Sequence, residues 1–190
     1  MPSQMTHLAV AKRYLEKHPQ SIRDVQGFLD GNVIPDLHPD KAVSHCGVRT
    51  EKYDIVKRNR EKVNPDKFAA THDMSDDLNR GQYLHLYVDY QYYNVFLLNF
   101  FQHTEKEQTS IDLYETSRRD DAHLQKKYGV AYDDTTLGRE LQEINDIWDD
   151  EMVEIRQRPD YQFSMPYDLN ALDTFIEQMS DVEIIFPFYQ

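Results

Sequence analysis

The sequence predicts an all-α protein, a single-domain bundle of about six to eight helices spanning residues 1–190. Three observations carry that reading. Residues Gly81–His103, GQYLHLYVDYQYYNVFLLNFFQH, form one long run whose apolar and aromatic side chains cover more than one helical face. Other segments repeat apolar residues at helical spacing, bounded by cap-forming residues, glycine or proline. Alternating strand-like patterns, internal repeats, low-complexity tracts and interdomain linkers are not evident, and 190 residues suit one core.

Taken in order, Thr6 is the expected cap of a first helix that runs to His18, with Leu8, Ala11 and Leu15 on its apolar side and Pro19 as its stop. Ser21 is the expected cap of a second helix, Ile22–Asp30, closed by Gly31. The prolines of NVIPDLHPDKAVSHCG mark a loop. Residues 51–62 form the one basic stretch, which fits either a solvated helix or an exposed strand. Asn64-Pro65 opens a short helix through Ala70, followed by the central helix. Later helices are expected over Ile111–Tyr128, Arg139–Val153 and Leu169–Met179. The apolar tail VEIIFPFYQ is read as docking on the body or on a second copy, as in a homodimer.

Composition narrows the function classes. The net charge of −13, from 21 basic and 34 acidic residues, disfavours nucleic acid and anionic membrane surfaces as partners. No apolar run is long enough to cross a bilayer. Cys46 is the only cysteine, which rules out a disulfide framework or a multi-cysteine zinc site. With no signal-peptide core at the N-terminus, a cytoplasmic location is expected. A metal site in this chain would have to be assembled from histidines and carboxylates.

Candidates for such a site stand out. His85 and Asp89 interrupt the apolar central helix at i and i+4, so they project one turn apart on one side. Burying an imidazole and a carboxylate is costly unless they pair or bind a metal. The loop mixes Asp36, His38, Asp40 and His45 with the apolar Val33-Ile34-Pro35 and Ala42-Val43, and His7 opens the first helix. Three imidazoles and two carboxylates (His7, Asp36, His45, His85 and Asp89) suit Zn²⁺ or another first-row divalent ion. The plain alternative is a His–Asp hydrogen-bonded pair in the core. Ser44 and Cys46 flank His45, but neighbours in sequence seldom face one another, so a Ser–His or Cys–His nucleophile is not expected.

FLDGNVIPDLHPDKAVSHCG followed by GQYLHLYVDYQYY resembles the zinc-dependent phospholipase C superfamily, in particular its small bacterial hydrolase-like members. The shared pattern is Gly31-Asn-Val-Ile-Pro35-Asp36, then Ser44-His45, then Gly81-Gln-Tyr-Leu-His85-Leu-Tyr-Val-Asp89, with Thr6-His7 near the start. The resemblance implies a phospholipase C-like all-α fold, with Asp36, His45, His85 and Asp89 as metal ligands and His7 as a fifth. It also implies phosphoester hydrolysis by metal-activated water, its better-known members acting on phosphodiesters of phospholipids or single-stranded nucleic acids; with the negative charge, a small-molecule or lipid phosphoester is the expected substrate. The better-known members hold three zincs and use an N-terminal Trp, which this chain lacks. One zinc is therefore expected, with a second left open. Of the later ligands only His103-Thr-Glu-Lys-Glu107 matches, in a polar stretch. Asp36 or Asp89 is the expected proton acceptor, and Lys41 a candidate for steadying negative charge. The rival readings are a non-catalytic helical scaffold with a structural metal, and an HD-type phosphohydrolase built on His72-Asp73.

Overall fold

The computed structural model describes residues 2–48, 63–100 and 106–183. The basic stretch at 51–62, His103 and the end of the apolar tail lie outside the described residues. The fold is all-α: among the described residues there are seven helices of seven residues or more, two single-turn helices and no strand beyond one isolated bridge. No helix among them is long and apolar enough to cross a membrane.

Helix α1, Gln4–Lys17, is capped by Ser3, whose hydroxyl accepts from Thr6 N–H at 3.2 Å. The helix thus begins a turn ahead of the expected Thr6 cap, and Thr6 and His7 move from its solvated start to its buried first turns. Helix α2, Val25–Gly31, is capped by Asp24 rather than Ser21, because the Asp24 carboxylate accepts from Gly27 N–H at 2.9 Å. The expected loop contains two single turns, α3 (Ile34–Leu37) and α4 (Lys41–Ser44). Helix α5 is Pro65–Thr71, capped by Asn64 as expected.

The central helix differs most from expectation. Helix α6, Asp77–Gln91, starts earlier, capped by Asp76, and is regular only to Gln91. A π-helical turn, Tyr92–Phe96, and a 3₁₀ turn, Leu97–Asn99, continue it. Aromatic rings pack around it. Tyr92 and Phe96 both meet Phe175, at ring separations of 5.7 and 4.8 Å, and Phe96 also meets Tyr167 at 4.8 Å.

Helices α7 (Lys106–Tyr128), α8 (Gly138–Arg156) and α9 (Leu169–Ser180) complete the bundle. Helix α1 runs through its middle, packing on α2, α6, α7 and α9. Its residues Met5, Leu8, Ala9, Val10, Ala11 and Tyr14 are all buried, so it contributes almost a full circumference to the core. Helices α2 and α6 make the closest crossing. A Cβ on Gly81 would collide with the carbonyl of Phe28, and one on Gly31 with the carbonyl of Leu78. Only glycine at both positions allows the two backbones this near.

One buried acid opposes the fold. Asp121 on α7 is 7% exposed, and its Oδ1 has no hydrogen-bond partner. Its nearest cation, Arg118, stands 3.7 Å from Oδ2. Burial raises its pKa from the usual 3.8 to about 6, against the opposing pull of Ser3 and Arg118. The folded value lies above the unfolded one, so ionisation costs more in the folded protein. The penalty is absent below about 3.8 and complete above about 6. Asp121→Asn should therefore stabilise the protein by about 3 kcal/mol at pH 8 and by little at pH 4. Urea unfolding at the two pH values checks this.

Candidate metal centre

The five residues singled out by sequence converge in one buried cluster. Their exposures are 0% for His7, 4% for Asp36, 3% for His45, 0% for His85 and 1% for Asp89. Four local devices supply them. Helix α6 supplies His85 and Asp89 from one face, and their side chains meet at 3.7 Å (Nε2 to Oδ2). Asp36 lies in the single turn α3, which Pro35 opens. His45 ends α4, and the next residue, Cys46, adopts φ +54°. That left-handed step turns the chain so that the His45 carbonyl accepts from Asn64 N–H at 3.0 Å, tying the loop to the start of α5. His7 arrives from α1 and stacks on the His85 ring, 3.8 Å between centroids at 16°.

Ligand-type atoms crowd together. His45 Nε2 lies 3.3 Å from His85 Nε2 and 3.1 Å from Asp89 Oδ2. His85 Nε2 lies 4.0 Å from Asp36 Oδ1, and His7 Nε2 lies 3.4 Å from Asp89 Oδ1. Two overlapping groups, His7–His85–Asp89 and Asp36–His45–His85, each offer three ligand atoms within 4.8 Å of one another. Four-coordinate zinc holds nitrogen and oxygen at roughly 2.0–2.1 Å, which sets neighbouring ligand atoms roughly 3.3 Å apart. The His45, His85 and Asp89 separations of 3.1, 3.3 and 3.7 Å fit that spacing.

Hydrogen bonds orient two of the imidazoles. His85 Nδ1 faces the carbonyl of Asn32 at 2.9 Å, which can only accept, so Nδ1 carries the proton and the Nε2 lone pair points into the cluster. Ser44 Oγ donates to the Pro35 carbonyl at 2.9 Å and lies 2.8 Å from His45 Nδ1. With its hydrogen on Pro35, Ser44 accepts from His45 Nδ1–H and leaves the His45 Nε2 lone pair facing inward. Two inward lone pairs 3.3 Å apart repel unless a cation or proton stands between them. Both Nδ1 partners are the outer acceptors that metal-binding histidines usually have.

Unpartnered atoms point the same way. His7 Nδ1 and Nε2, Asp36 Oδ2 and both Asp89 oxygens are buried without a hydrogen bond. Orphaned buried polar atoms cost about 1–3 kcal/mol each, so a concentration of them calls for a bound group. The electrostatics favour a cation. Burial pushes His85 from 6.5 down to about 3, helped by His7, which keeps its imidazole neutral and able to ligate. Burial pushes Asp89 up, but the nearness of His45 and His7, and then of His85, carries it well below 3.8, so it stays an anion. The donor set thus fits a divalent ion, and the buried His/Asp groups could hold one.

Other candidates do not join. His38 is exposed and bonds to the Asp40 backbone, while Asp40 caps α4. His72 stacks on Phe68 at 3.9 Å, and Asp73 accepts from Ser75, both at the surface. Lys41 does not stand free: its ammonium bonds the carbonyl of Asp36 and lies 3.3 Å from Pro35 O and Asp36 Oδ1. It clamps Asp36 rather than awaiting negative charge. Sequence reasoning missed Asn32, which acts through a backbone carbonyl that any residue carries. It also discounted Ser44, which does reach its neighbour His45, as a hydrogen-bond acceptor. Cys46 packs with Val63, Phe68 and Leu86.

Fold and site together define the class: an all-α bundle with a buried histidine–carboxylate centre able to hold a metal ion. No protein-family model, curated protein or solved structure matches the chain.

Proposed function

We propose that the chain is a metal-dependent hydrolase, with zinc the expected ion, acting on a phosphoester. The carrying observation is the buried convergence of three imidazoles and two carboxylates, with Asp36 Oδ2, both Asp89 oxygens and both His7 nitrogens lacking hydrogen-bond partners. The order of the motifs, which resembles the zinc-dependent phospholipase C superfamily, supports the reading. A divalent ion at this centre would supply a nucleophilic water at neutral pH and polarise a phosphoryl oxygen. Mixed histidine and carboxylate donors are typical of catalytic rather than purely structural zinc sites, which favour cysteine. Asp36 and Asp89 are the proton acceptors of this proposal. The charge of −13 favours a small-molecule or lipid phosphoester over a polynucleotide.

A second reading draws on burial. With all five side chains at most 4% exposed, an ion could simply staple α1, the α3–α4 turns and α6 together. One experiment separates the two. Purified protein is assayed for metal and for turnover of bis-p-nitrophenyl phosphate, before and after chelation. Turnover lost on chelation and regained with zinc supports the hydrolase. One metal per chain without turnover supports the staple. Protein that binds no divalent ion refutes both.

A further inference from the structure

We propose that His7 is not a metal ligand: the ion takes His45, His85, Asp89 and Asp36, and His7 positions two of them from outside. The inference rests on the centre holding a metal and goes beyond the five-ligand set that the resemblance implies.

Three observations separate His7 from the other imidazoles. His45 and His85 each have an outer acceptor on Nδ1, Ser44 Oγ and the Asn32 carbonyl respectively, and their Nε2 atoms face each other at 3.3 Å. Neither nitrogen of His7 has a hydrogen bond, and Nε2 has a carboxylate oxygen at hand, Asp89 Oδ1 at 3.4 Å. Were His7 to ligate through Nε2, its Nδ1–H would be an unsatisfied donor in a closed interior, which is rare in folded proteins. With the proton on Nε2 instead, the ring leaves only an unused acceptor at Nδ1, a smaller loss.

The second observation is which oxygen His7 approaches. Its Nε2 lies 3.4 Å from Asp89 Oδ1, whereas His45 and His85 approach Oδ2. One carboxylate therefore divides its oxygens. Oδ2 belongs to the ligand cluster and Oδ1 receives His7, the arrangement in which an outer group fixes a ligating carboxylate. The third is the stack. His7 lies nearly parallel on His85 at 3.8 Å, so it restrains the plane of a ligand ring. Lys41 plays the corresponding part for Asp36, 3.3 Å from its Oδ1. The four inner residues then each carry an outer partner: Asn32, Ser44, His7 and Lys41.

X-ray absorption on zinc-loaded wild-type protein tests this without a variant. The expected spectrum contains the multiple scattering of two imidazoles, with oxygen donors completing the shell. Three imidazoles would overturn the proposal while leaving the metal centre intact; a chain that takes up no zinc would overturn both. Two variants give an independent readout by zinc titration. His7→Phe keeps the ring but not the N–H, so it should bind one zinc per chain with affinity reduced by about 10–100-fold. His7→Gln, which can still donate to Asp89, should recover part of that loss. Stoichiometric binding abolished in both folded variants would refute the proposal.

Discussion

Gly81→Ala is expected to destabilise the protein by about 2 kcal/mol or more and to spoil the metal centre with it. Two effects of opposite sign compete at this position. Replacing glycine by alanine inside a helix ordinarily stabilises by about 1 kcal/mol. Here the new methyl would overlap the carbonyl of Phe28 and lie 3.0 Å from the nitrogen of Asn32, both backbone atoms of the neighbouring α2 region. Backbone cannot rotate aside as a flexible side chain would, so the helices must separate. Overpacking of this kind costs about 1–3 kcal/mol and sometimes more, which exceeds the propensity gain. Separation would also pull the Asn32 carbonyl off His85 Nδ1, now 2.9 Å apart, and its side-chain amide off the Gly81 carbonyl, now 3.2 Å apart. The variant should melt at lower temperature and, on the metal reading proposed above, bind added zinc more weakly. A melting temperature above wild type would mean that the crossing has slack.

Much of this centre is legible in the sequence because helical periodicity is local physics. His85 and Asp89 share a face by spacing alone, and their polarity amid Leu84, Leu86 and Val88 marks them as costly. Asp36 and His45 stand out because a solvated loop has little reason to alternate ligand-type and apolar residues. What could not be read depends on distant chain. His7 resembles a solvated helix start until Ser3 takes the cap and α6 covers the first turns. The π turn packs on Phe175 and Tyr167, far along the sequence, and no local signal marks it. The spacing role of Gly31 and Gly81 is equally hidden, since a glycine ending one helix and another within a second do not announce that they touch. The last helix, expected over Leu169–Met179 and found over Leu169–Ser180, shows the opposite case: cap and amphipathic pattern suffice when they agree.

On the metal reading proposed above, chelation is expected to lower the melting temperature sharply, and His85→Ala to abolish metal uptake. A ligand that binds only the folded state stabilises it by about 4 kcal/mol when present at about a thousand times its dissociation constant. For a chain of this size each kcal/mol shifts the melting temperature by about 2–4 °C, so chelation should cost roughly 8–16 °C. His85 lies in both candidate ligand groups, so its loss leaves neither group complete. In His85→Ala, added zinc should therefore raise the melting temperature far less than in wild type, and chelator should have no further effect. Acid should mimic chelation, with a sign fixed by His85. Its folded pKa, near 3, lies below the unfolded 6.5, so the unfolded chain binds the proton first. The corresponding stability is whole above about 6.5 and is lost as pH falls towards 3. Zinc competes for the same Nε2 lone pair, so retention should fail within that window too. Melting curves across pH, with and without zinc, measure both effects. Were chelation and acid to leave the melting temperature unmoved, the cluster would be a polar core that holds itself together by its own pairings.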